Sequence, residues 1–243
     1  MDIYPAIDLI AGRCVRLTEG DFGVRTEYRD LPLDVARSYE DAGAAWLHLV
    51  DLDGARDALT RQTSLIAELA KKTHLNIQTG GGIKSAEDVR QLLDLGVKRV
   101  IIGSLCVKEP ETTRAILEEC GADRIVLAFD VRGDFEKGFY VATHGWQETS
   151  QHKIEDMLTR YNGVAEHILC TDISKDGKLQ GPNAALYKHL VQTASQFKFQ
   201  ASGGVAELKD IDELKETGVA AAIIGKALYE HKFTLCDALQ RVR

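Results

Sequence analysis

Short runs rich in Val, Ile and Leu recur eight times along the chain, with amphipathic stretches between them. This alternation is typical of parallel strands that are buried on both faces and joined by helices. The predicted strands cover residues 3–8, 45–51, 75–79, 98–103, 124–130, 166–172, 197–202 and 220–225. Eight units in 243 residues predict an α/β fold, a single (βα)8 TIM barrel spanning residues 1–243. A doubly wound open sheet is the alternative, but its usual Gly-rich first turn is absent.

The chain also resembles itself at a shift near 122 residues. The matched segments are Asp8 with Asp130, Gly81–Ile83 with Gly203–Val205, Gly96 with Gly218, and Ile101–Gly103 with Ile223–Gly225. Such self-similarity predicts two similar (βα)4 half-barrels, about 1–122 and 123–243. Any site that one half builds then has a counterpart across the barrel mouth.

Charge and cysteine usage exclude several classes of partner. With 30 Lys and Arg against 37 Asp and Glu, the net charge is −7, which disfavours nucleic acid. The five cysteines include no Cys-x-x-Cys pair, as expected for reduced thiols in the cytoplasm. No signal-peptide pattern or apolar run of about 18 residues is present, so no membrane partner is predicted. Ordinary amphipathic helix patterns favour a monomer.

Four glycine corners follow predicted strands and precede predicted helices. Glycine lets a backbone approach a ligand closely, and a helix N-terminus offers unpaired N–H groups to an anion. The alternative is that these glycines only make tight turns. Because the corners come in symmetric pairs, we expect two phosphate sites and a small substrate with a phosphate at each end. The candidate residues are Gly81, Gly82, Gly103, Ser104, Gly203, Gly204, Gly225 and Lys226.

Asp8 and Asp130 each occupy the last position of a predicted strand, on opposite sides of the barrel mouth. An aldose–ketose conversion needs a base to remove a proton beside a carbonyl or imine, and an acid to protonate an oxygen. A carboxylate pair can supply both roles if one of the two pKa values is raised. The alternative role for such residues is to cap the following helix.

Two further segments contain candidate residues. Thr171, Asp172 and Gly177 lie in TDISKDGKLQG, which imitates the first half of a calcium loop but lacks the final Glu. The seven histidines show no zinc-binding spacing, so no metal is predicted. Trp146 follows a long loop over 132–146 and is interpreted either as a core plug or as a surface for stacking a heterocycle.

The motifs PAIDLIAGRCVRLTEGDF, LHLVDLDGA, GGGI, FDVRG, THGW, TDISKDGKLQGPN, ASGGV and IIGKALYE occur in this order over essentially the whole chain. Together they resemble the phosphoribosylformimino-5-aminoimidazole carboxamide ribotide isomerase family of histidine biosynthesis. Members of that family carry out an Amadori rearrangement on a substrate with two ribose phosphates. The resemblance therefore implies the same aminoaldose-to-aminoketose isomerisation for this chain.

The resemblance also implies individual roles. Asp8 would be the general base, Asp130 the general acid, Thr171 a hydrogen-bonding neighbour of the acid, and Trp146 a stacking surface for the imidazole carboxamide. Asp172 and Gly177 would join the glycine corners in binding the substrate. Neither a cofactor nor a metal is implied. The chain departs from the family at Lys84 and Glu19, where many members have Arg and Gln, and at Ala128.

Three alternative functions remain open at this point. The cyclase subunit of imidazole glycerol phosphate synthase is a similar barrel, but it typically has Ser where this chain has Asp172 and lacks the His-Gly-Trp element at 144–146. A dual isomerase would also act on phosphoribosyl anthranilate. A non-catalytic phosphate-binding barrel would not need both carboxylates.

Overall fold

The structure, a computed structural model, describes residues 1–18, 21–143, 145–146 and 148–243. Glu19 and the His144 of the THGW motif lie outside the described residues, together with Gly20 and Gln147. The strands are β1 (Asp2–Ile10), β2 (Arg13–Thr18), β3 (Asp21–Glu27), β4 (Trp46–Asp51), β5 (Asn76–Gly80), β6 (Arg99–Ile102), β7 (Ile125–Asp134), β8 (Gly138–Thr143), β9 (Glu148–Lys153), β10 (His167–Asp172), β11 (Lys198–Ser202) and β12 (Ala221–Ile224).

Helices alternate with the parallel strands, and two short 3-10 turns cover Ala58–Thr60 and Ala122–Arg124. The helices are α1 (Pro32–Asp41), α2 (Leu52–Arg56), α3 (Thr63–Lys72), α4 (Ala86–Asp94), α5 (Ser104–Lys108), α6 (Pro110–Cys120), α7 (Ile154–Arg160), α8 (Ala184–Thr193), α9 (Leu208–Thr217), α10 (Lys226–Tyr229) and α11 (Leu235–Val242). Within the described ranges, no helix combines the length and apolar character needed to cross a membrane.

Eight parallel strands close into a barrel, which confirms the predicted fold. They pair in the order β10, β11, β12, β1, β4, β5, β6 and β7, and β7 pairs again with β10. Residues that alternate along each strand face the helices, as Leu47 and Leu49 do in β4, and both are fully buried in the main core. The half-barrel repeat stays a prediction from the sequence.

Antiparallel ribbons extend two of the barrel strands. Strand β1 turns through Ala11 and Gly12, both with positive φ, into β2, and β2 pairs with β3. Strand β7 pairs in the same way with β8, and β8 with β9. The prediction that 132–146 is a loop is therefore wrong over most of its length, because the alternating apolar residues of Phe139–Thr143 pair as a strand.

Inward-facing side chains fill the barrel in layers taken from alternate strands. A floor layer, whose members are each 6–8% exposed, consists of His48, Ile101, Leu169 and Ile223. The strand registers place a layer of small residues on its mouth side: Ala6, Gly80, Ala128 and Ser202. On the opposite side lie Tyr4, Gln78, Val126 and Gln200. The small layer leaves the floor open to the mouth.

Helix α4 follows the first glycine corner at the barrel mouth. The predicted cap is confirmed: the Ser85 hydroxyl accepts a hydrogen bond from the Asp88 backbone N–H at the first turn. The helix ends at Asp94, and Gly96 then adopts a positive φ of 98°. Because Ser85 is fixed, the glycine corner that precedes it is held at the barrel rim.

Candidate active site

Two carboxylates lie in strands on opposite sides of the barrel. Asp8 is in β1 and Asp130 is in β7, four strands away around the ring in either direction. The prediction that each residue ends its strand is wrong. Strand β1 continues two residues beyond Asp8, and β7 continues four residues beyond Asp130, because both strands pair onward into hairpins.

Asp8 is paired with the half-buried cation of Arg16. Its Oδ2 is 3.0 Å from Nη1 of Arg16, and Nη2 of Arg16 binds both carboxylate oxygens of Asp176 at 2.7 and 2.8 Å. Burial raises the pKa of Asp8, while Arg16 lowers it and the charge of Asp176 raises it. Asp8 is thus held beside a cation that favours the ionised form, which suits a base.

Among the described residues, no cation contributes to the pKa of Asp130. Burial raises that pKa, hydrogen bonds from Trp146 and Thr171 lower it, and the charge of Asp176 raises it. Thr171 lies opposite Asp130 in the pairing of β10 with β7, so the strand register positions this neighbour. A carboxyl group whose pKa is raised by burial is suited to donate a proton.

Trp146 follows Gly145 at the end of the ribbon that extends β7, and both residues have positive φ. Its backbone carbonyl accepts a hydrogen bond from Nη2 of Arg132 at 2.8 Å, and its side chain is half-buried beside Asp130. The side chain therefore contacts the candidate acid rather than filling the main core. Stacking on a heterocycle remains compatible with this place.

Arg16 and Asp176 were missed as functional candidates in the sequence. Arg16 faces inward from β2, and Asp176 follows β10, so 160 residues of chain separate the two partners. Burial opposes the charge of Arg16, but the two carboxylates more than compensate and raise its pKa. The alternating pattern RCVRLT could have indicated the strand, but no local signal could have indicated the ion pair.

The first glycine corner is fitted against the neighbouring loop. Gly81 and Gly82 have φ of 140° and 66°, and a Cβ atom on them would lie 2.3 Å from the Asp51 carbonyl oxygen and 2.0 Å from the Gly54 carbonyl oxygen. Only glycine fits either position, so the turn itself requires these residues. This tight fit supports the structural interpretation without excluding a ligand on the other face of the loop.

A buried arginine fixes the direction of the peptide groups in this corner. Arg61 donates to the carbonyl oxygens of Gly81 at 3.3 Å and Gly82 at 3.1 Å, and it pairs with Asp88 at 3.1 Å. In a trans peptide the C=O and the next N–H point in opposite directions. The N–H groups of Gly82 and Ile83 therefore point away from Arg61, in an orientation that can bind an anion.

The second glycine corner repeats the construction. A Cβ atom on Gly204 would lie 2.4 Å from the Gly181 carbonyl oxygen, and one on Gly203 would lie 3.0 Å from that of Asp172. Asp210 accepts backbone hydrogen bonds from residues 206 and 207, as Asp88 accepts one from the backbone of Lys84. The Lys84 side chain itself is exposed.

The other two corners differ from each other. Gly103 precedes α5, beginning at the exposed Ser104, and a Cβ atom on Gly103 would meet nothing within 4 Å. Gly225 precedes α10, and a Cβ atom there would lie 3.2 Å from Nη1 of Arg16. The corner at Gly103 is therefore the more open of the two.

Two residues that were predicted to bind the substrate, Asp172 and Lys226, hold the loop after β10 in place in this structure. Asp172 is 2% exposed, and its oxygens accept from Ser174 at 2.6–2.9 Å and from the Asn183 amide at 2.6 Å. Lys226 donates to the carbonyl oxygen of Gly177 at 2.8 Å. Both side chains fasten this loop to the mouth, so substrate binding by either stays a prediction.

Comparison with known proteins identifies the family. A sequence model of the family described as histidine biosynthesis protein matches residues 2–234. An imidazole-4-carboxamide isomerase from Elusimicrobium minutum, whose name specifies two 5-phosphoribosyl groups, is 48% identical over 239 residues, 98% of this chain and 99% of the relative. The chain belongs to this isomerase family. Isomerases of the same name from Francisella philomiragia (49% over 242 residues, 99% of this chain and 100% of the relative) and Vibrio cholerae (48% over 237 residues, 97% of each) agree.

Membership of the isomerase family favours isomerisation over the cyclase alternative, because these relatives are named as isomerases. The site is compatible with chemistry carried by side chains. Among the residues that the structure describes, no group of three or more His, Cys, Asp or Glu is placed to hold a metal ion.

Proposed function

We propose that this chain catalyses the Amadori rearrangement of N'-(5'-phosphoribosyl)formimino-5-aminoimidazole-4-carboxamide ribonucleotide, an aminoaldose, to its aminoketose. The observation that carries the proposal is the pair of carboxyl groups, Asp8 buried and Asp130 half-buried, in opposite strands of the barrel. One is paired with a cation and the other is not. This difference supports a base and an acid in one site.

The reaction proceeds in balanced proton transfers. Asp130 donates a proton to the ribose ring oxygen while the amino nitrogen lone pair forms a C=N bond and the ring C–O bond breaks. Asp8 then removes the proton from the neighbouring carbon, C2′, and the electron pair forms C1′=C2′ as the C=N electrons return to nitrogen. The ionised Asp130 then accepts the hydroxyl proton of the enaminol and Asp8 gives its proton to C1′, which forms the ketone and restores both carboxyl groups. Each transfer contributes typically 10²–10⁴-fold.

The glycine corners bind the two phosphates in this proposal. The N–H groups that Arg61 directs away from itself serve one phosphate, together with Gly103 and Ser104. Gly203, Gly204, Gly225 and Lys226 serve the other. Thr171 hydrogen-bonds the acid, and Trp146 stacks on the imidazole carboxamide beside it. Asp172 and Gly177 act by holding the loop that closes this side of the mouth.

The test is a spectroscopic assay of the purified protein with the aminoaldose, run in parallel with phosphoribosyl anthranilate. Turnover of the aminoaldose alone identifies a dedicated isomerase, and turnover of both substrates identifies a dual isomerase. If neither substrate turns over, the proposal is wrong, and the cyclase reaction with ammonia is the next assay.

The carboxylate assignment is tested with matched variants. We expect Asp8→Asn and Asp130→Asn each to lower kcat by 10²-fold or more. The controls are Asp2→Asn and Asp134→Asn, which change exposed residues of the same two strands and should keep wild-type turnover. Near wild-type turnover of both site variants would remove the acid–base assignment.

A further inference from the structure

One polar residue interrupts the apolar floor of the barrel. Three of the four floor residues are Ile101, Leu169 and Ile223, and the fourth is His48. The layer toward the mouth contains only Ala, Gly and Ser side chains, so a bound molecule can reach the imidazole. His48 lies two residues before Val50, which pairs with Asp8 in the neighbouring strand.

His48 is connected to two buried glutamines. Nδ1 of His48 is 2.8 Å from Nε2 of Gln78, and the same Nε2 is 2.8 Å from Oε1 of Gln200. An amide nitrogen has two hydrogens and no lone pair to offer. Gln78 therefore donates to both neighbours, and Nδ1 of His48 is an acceptor. The ring proton is then on Nε2.

The position of Gln78 also orients the ring. Gln78 belongs to the layer below the floor, on the side away from the mouth. Its hydrogen bond to Nδ1 therefore holds the Nδ1 edge of the ring away from the mouth. Nε2 is then the ring nitrogen that is left for a molecule entering from the mouth. Burial and, to a smaller extent, the charge of Arg16 together lower the pKa of His48 to about 3, so the ring is neutral at physiological pH.

This arrangement costs stability that an aliphatic residue would not. Oε1 of Gln78 and Nε2 of Gln200 are buried without a hydrogen-bond partner among the described residues. Each such group loses its hydrogen bonds to water on folding and gains none in return, which destabilises the fold. A fourth Leu or Ile would complete an apolar floor, so packing alone does not account for His48.

We propose that His48 is a neutral hydrogen-bond donor in catalysis, its Nε2–H bound to the substrate oxygen that becomes the ketone, with Gln78 and Gln200 as the positioning residues that select this tautomer. The inference rests on the isomerisation proposed above. His48 transfers no proton in this role. Its N–H stabilises the oxygen as the hydroxyl proton leaves the enaminol and the carbonyl forms.

Kinetics of two His48 variants test the donor. His48→Phe keeps a ring of similar size but has no N–H, and we expect kcat to fall about 10²-fold with little change in KM. His48→Gln retains an N–H donor and should recover at least tenfold of that loss. The control is His167→Phe, which changes a buried histidine that faces inward from β10 near the opposite end of the barrel. It should keep wild-type kcat.

Nitrogen NMR tests the positioning residues independently of activity. In protein labelled with 15N-histidine, two-bond proton–nitrogen correlations distinguish the two neutral tautomers, and the His48 signals are those missing from His48→Gln. We expect the Nε2–H tautomer in the wild type and a mixture in Gln78→Met. A wild-type ring protonated on Nδ1 would overturn the inference.

The two proposals fail in different ways. If the wild-type protein turns over the aminoaldose but folded His48→Phe is as fast as wild type, only the role of His48 is wrong. If the wild type itself is inactive on the aminoaldose, the isomerase proposal fails, and the donor role, which depends on it, fails with it. Thermal unfolding of each variant establishes that the kinetics refer to folded protein.

Discussion

Replacing Gly82 by alanine tests the fit of the first glycine corner. Gly82 has φ of 66°, and an added Cβ atom would lie 2.0 Å from the carbonyl oxygen of Gly54. Ordinary van der Waals contact begins at 3.4 Å, so the loop around Gly54 must move by about 1.4 Å. Gly163 has nearly the same backbone, with φ of 77°, but its Cβ would meet nothing within 4 Å. It is the matched control.

The expected loss of stability is the sum of three effects. Alanine in left-handed backbone lowers the free energy of unfolding by roughly 1–2 kcal/mol. Alanine also restricts the unfolded chain, and this raises the free energy of unfolding by about 0.4–1 kcal/mol. Both variants share these two effects, so Gly163→Ala should cost about 0–1.6 kcal/mol. The forced displacement at Gly82 adds about 1–3 kcal/mol. Gly82→Ala should therefore cost about 1–5 kcal/mol, and each kcal/mol lowers Tm by roughly 2–4 °C in a chain of this size.

Thermal unfolding followed by circular dichroism measures both variants. Gly204→Ala provides a second trial, because its Cβ would lie 2.4 Å from the Gly181 carbonyl oxygen at a φ of 94°. We expect both corner variants to lose clearly more stability than Gly163→Ala. If all three variants lose the same amount, the backbone conformation alone explains the glycines, and the argument from close approach is refuted.

Two further predictions concern the mouth. Because Arg16 lowers the pKa of Asp8, Arg16→Gln should raise that pKa and move the acidic limb of the kcat/KM profile to higher pH. The same variant should lose about 3 kcal/mol of stability, because it leaves carboxylates without their cation. Arg13→Gln, an exposed change in the same strand, should leave the pH profile in place, and an unmoved limb in Arg16→Gln would contradict the ion-pair argument. Gly103→Ala should raise KM about tenfold with Tm nearly unchanged, because its Cβ enters open space. Unchanged KM would remove Gly103 from the phosphate site.

The architecture was predictable because its signals are local. Each barrel strand is a short apolar run, and all eight predicted strands lie in the ring. The β1–β2 turn was harder to recognise, since Ala11 and Gly12 take positive φ without the Asn-Gly or Asp-Gly sequence that usually marks such turns. A hairpin that extends a barrel strand is therefore easily predicted as a loop when only composition is considered.

The side-chain network of the site was less predictable than its carboxylates. Asp8 and Asp130 are conspicuous because each follows an apolar run, whereas Arg16 resembles any other strand arginine until its partner Asp176 is known. His48 gives even less indication, since a lone histidine in an apolar strand is usually structural. Its direction depends on glutamines in two other strands, and pairings at such separations are set by the fold rather than by neighbouring sequence.

The hairpin on β1 has a consequence for anyone who re-engineers the barrel. Segments at the mouth of such barrels are normally exchangeable, since they begin where the scaffold ends. Here Asp8 pairs on one side with Val50 of the barrel and on the other with Val15 of the hairpin. A graft that replaces the hairpin therefore cuts a ladder that includes the backbone of Asp8, the proposed base. New specificity is better sought by changing single side chains at the mouth, which leaves the backbone pairing of Asp8 intact.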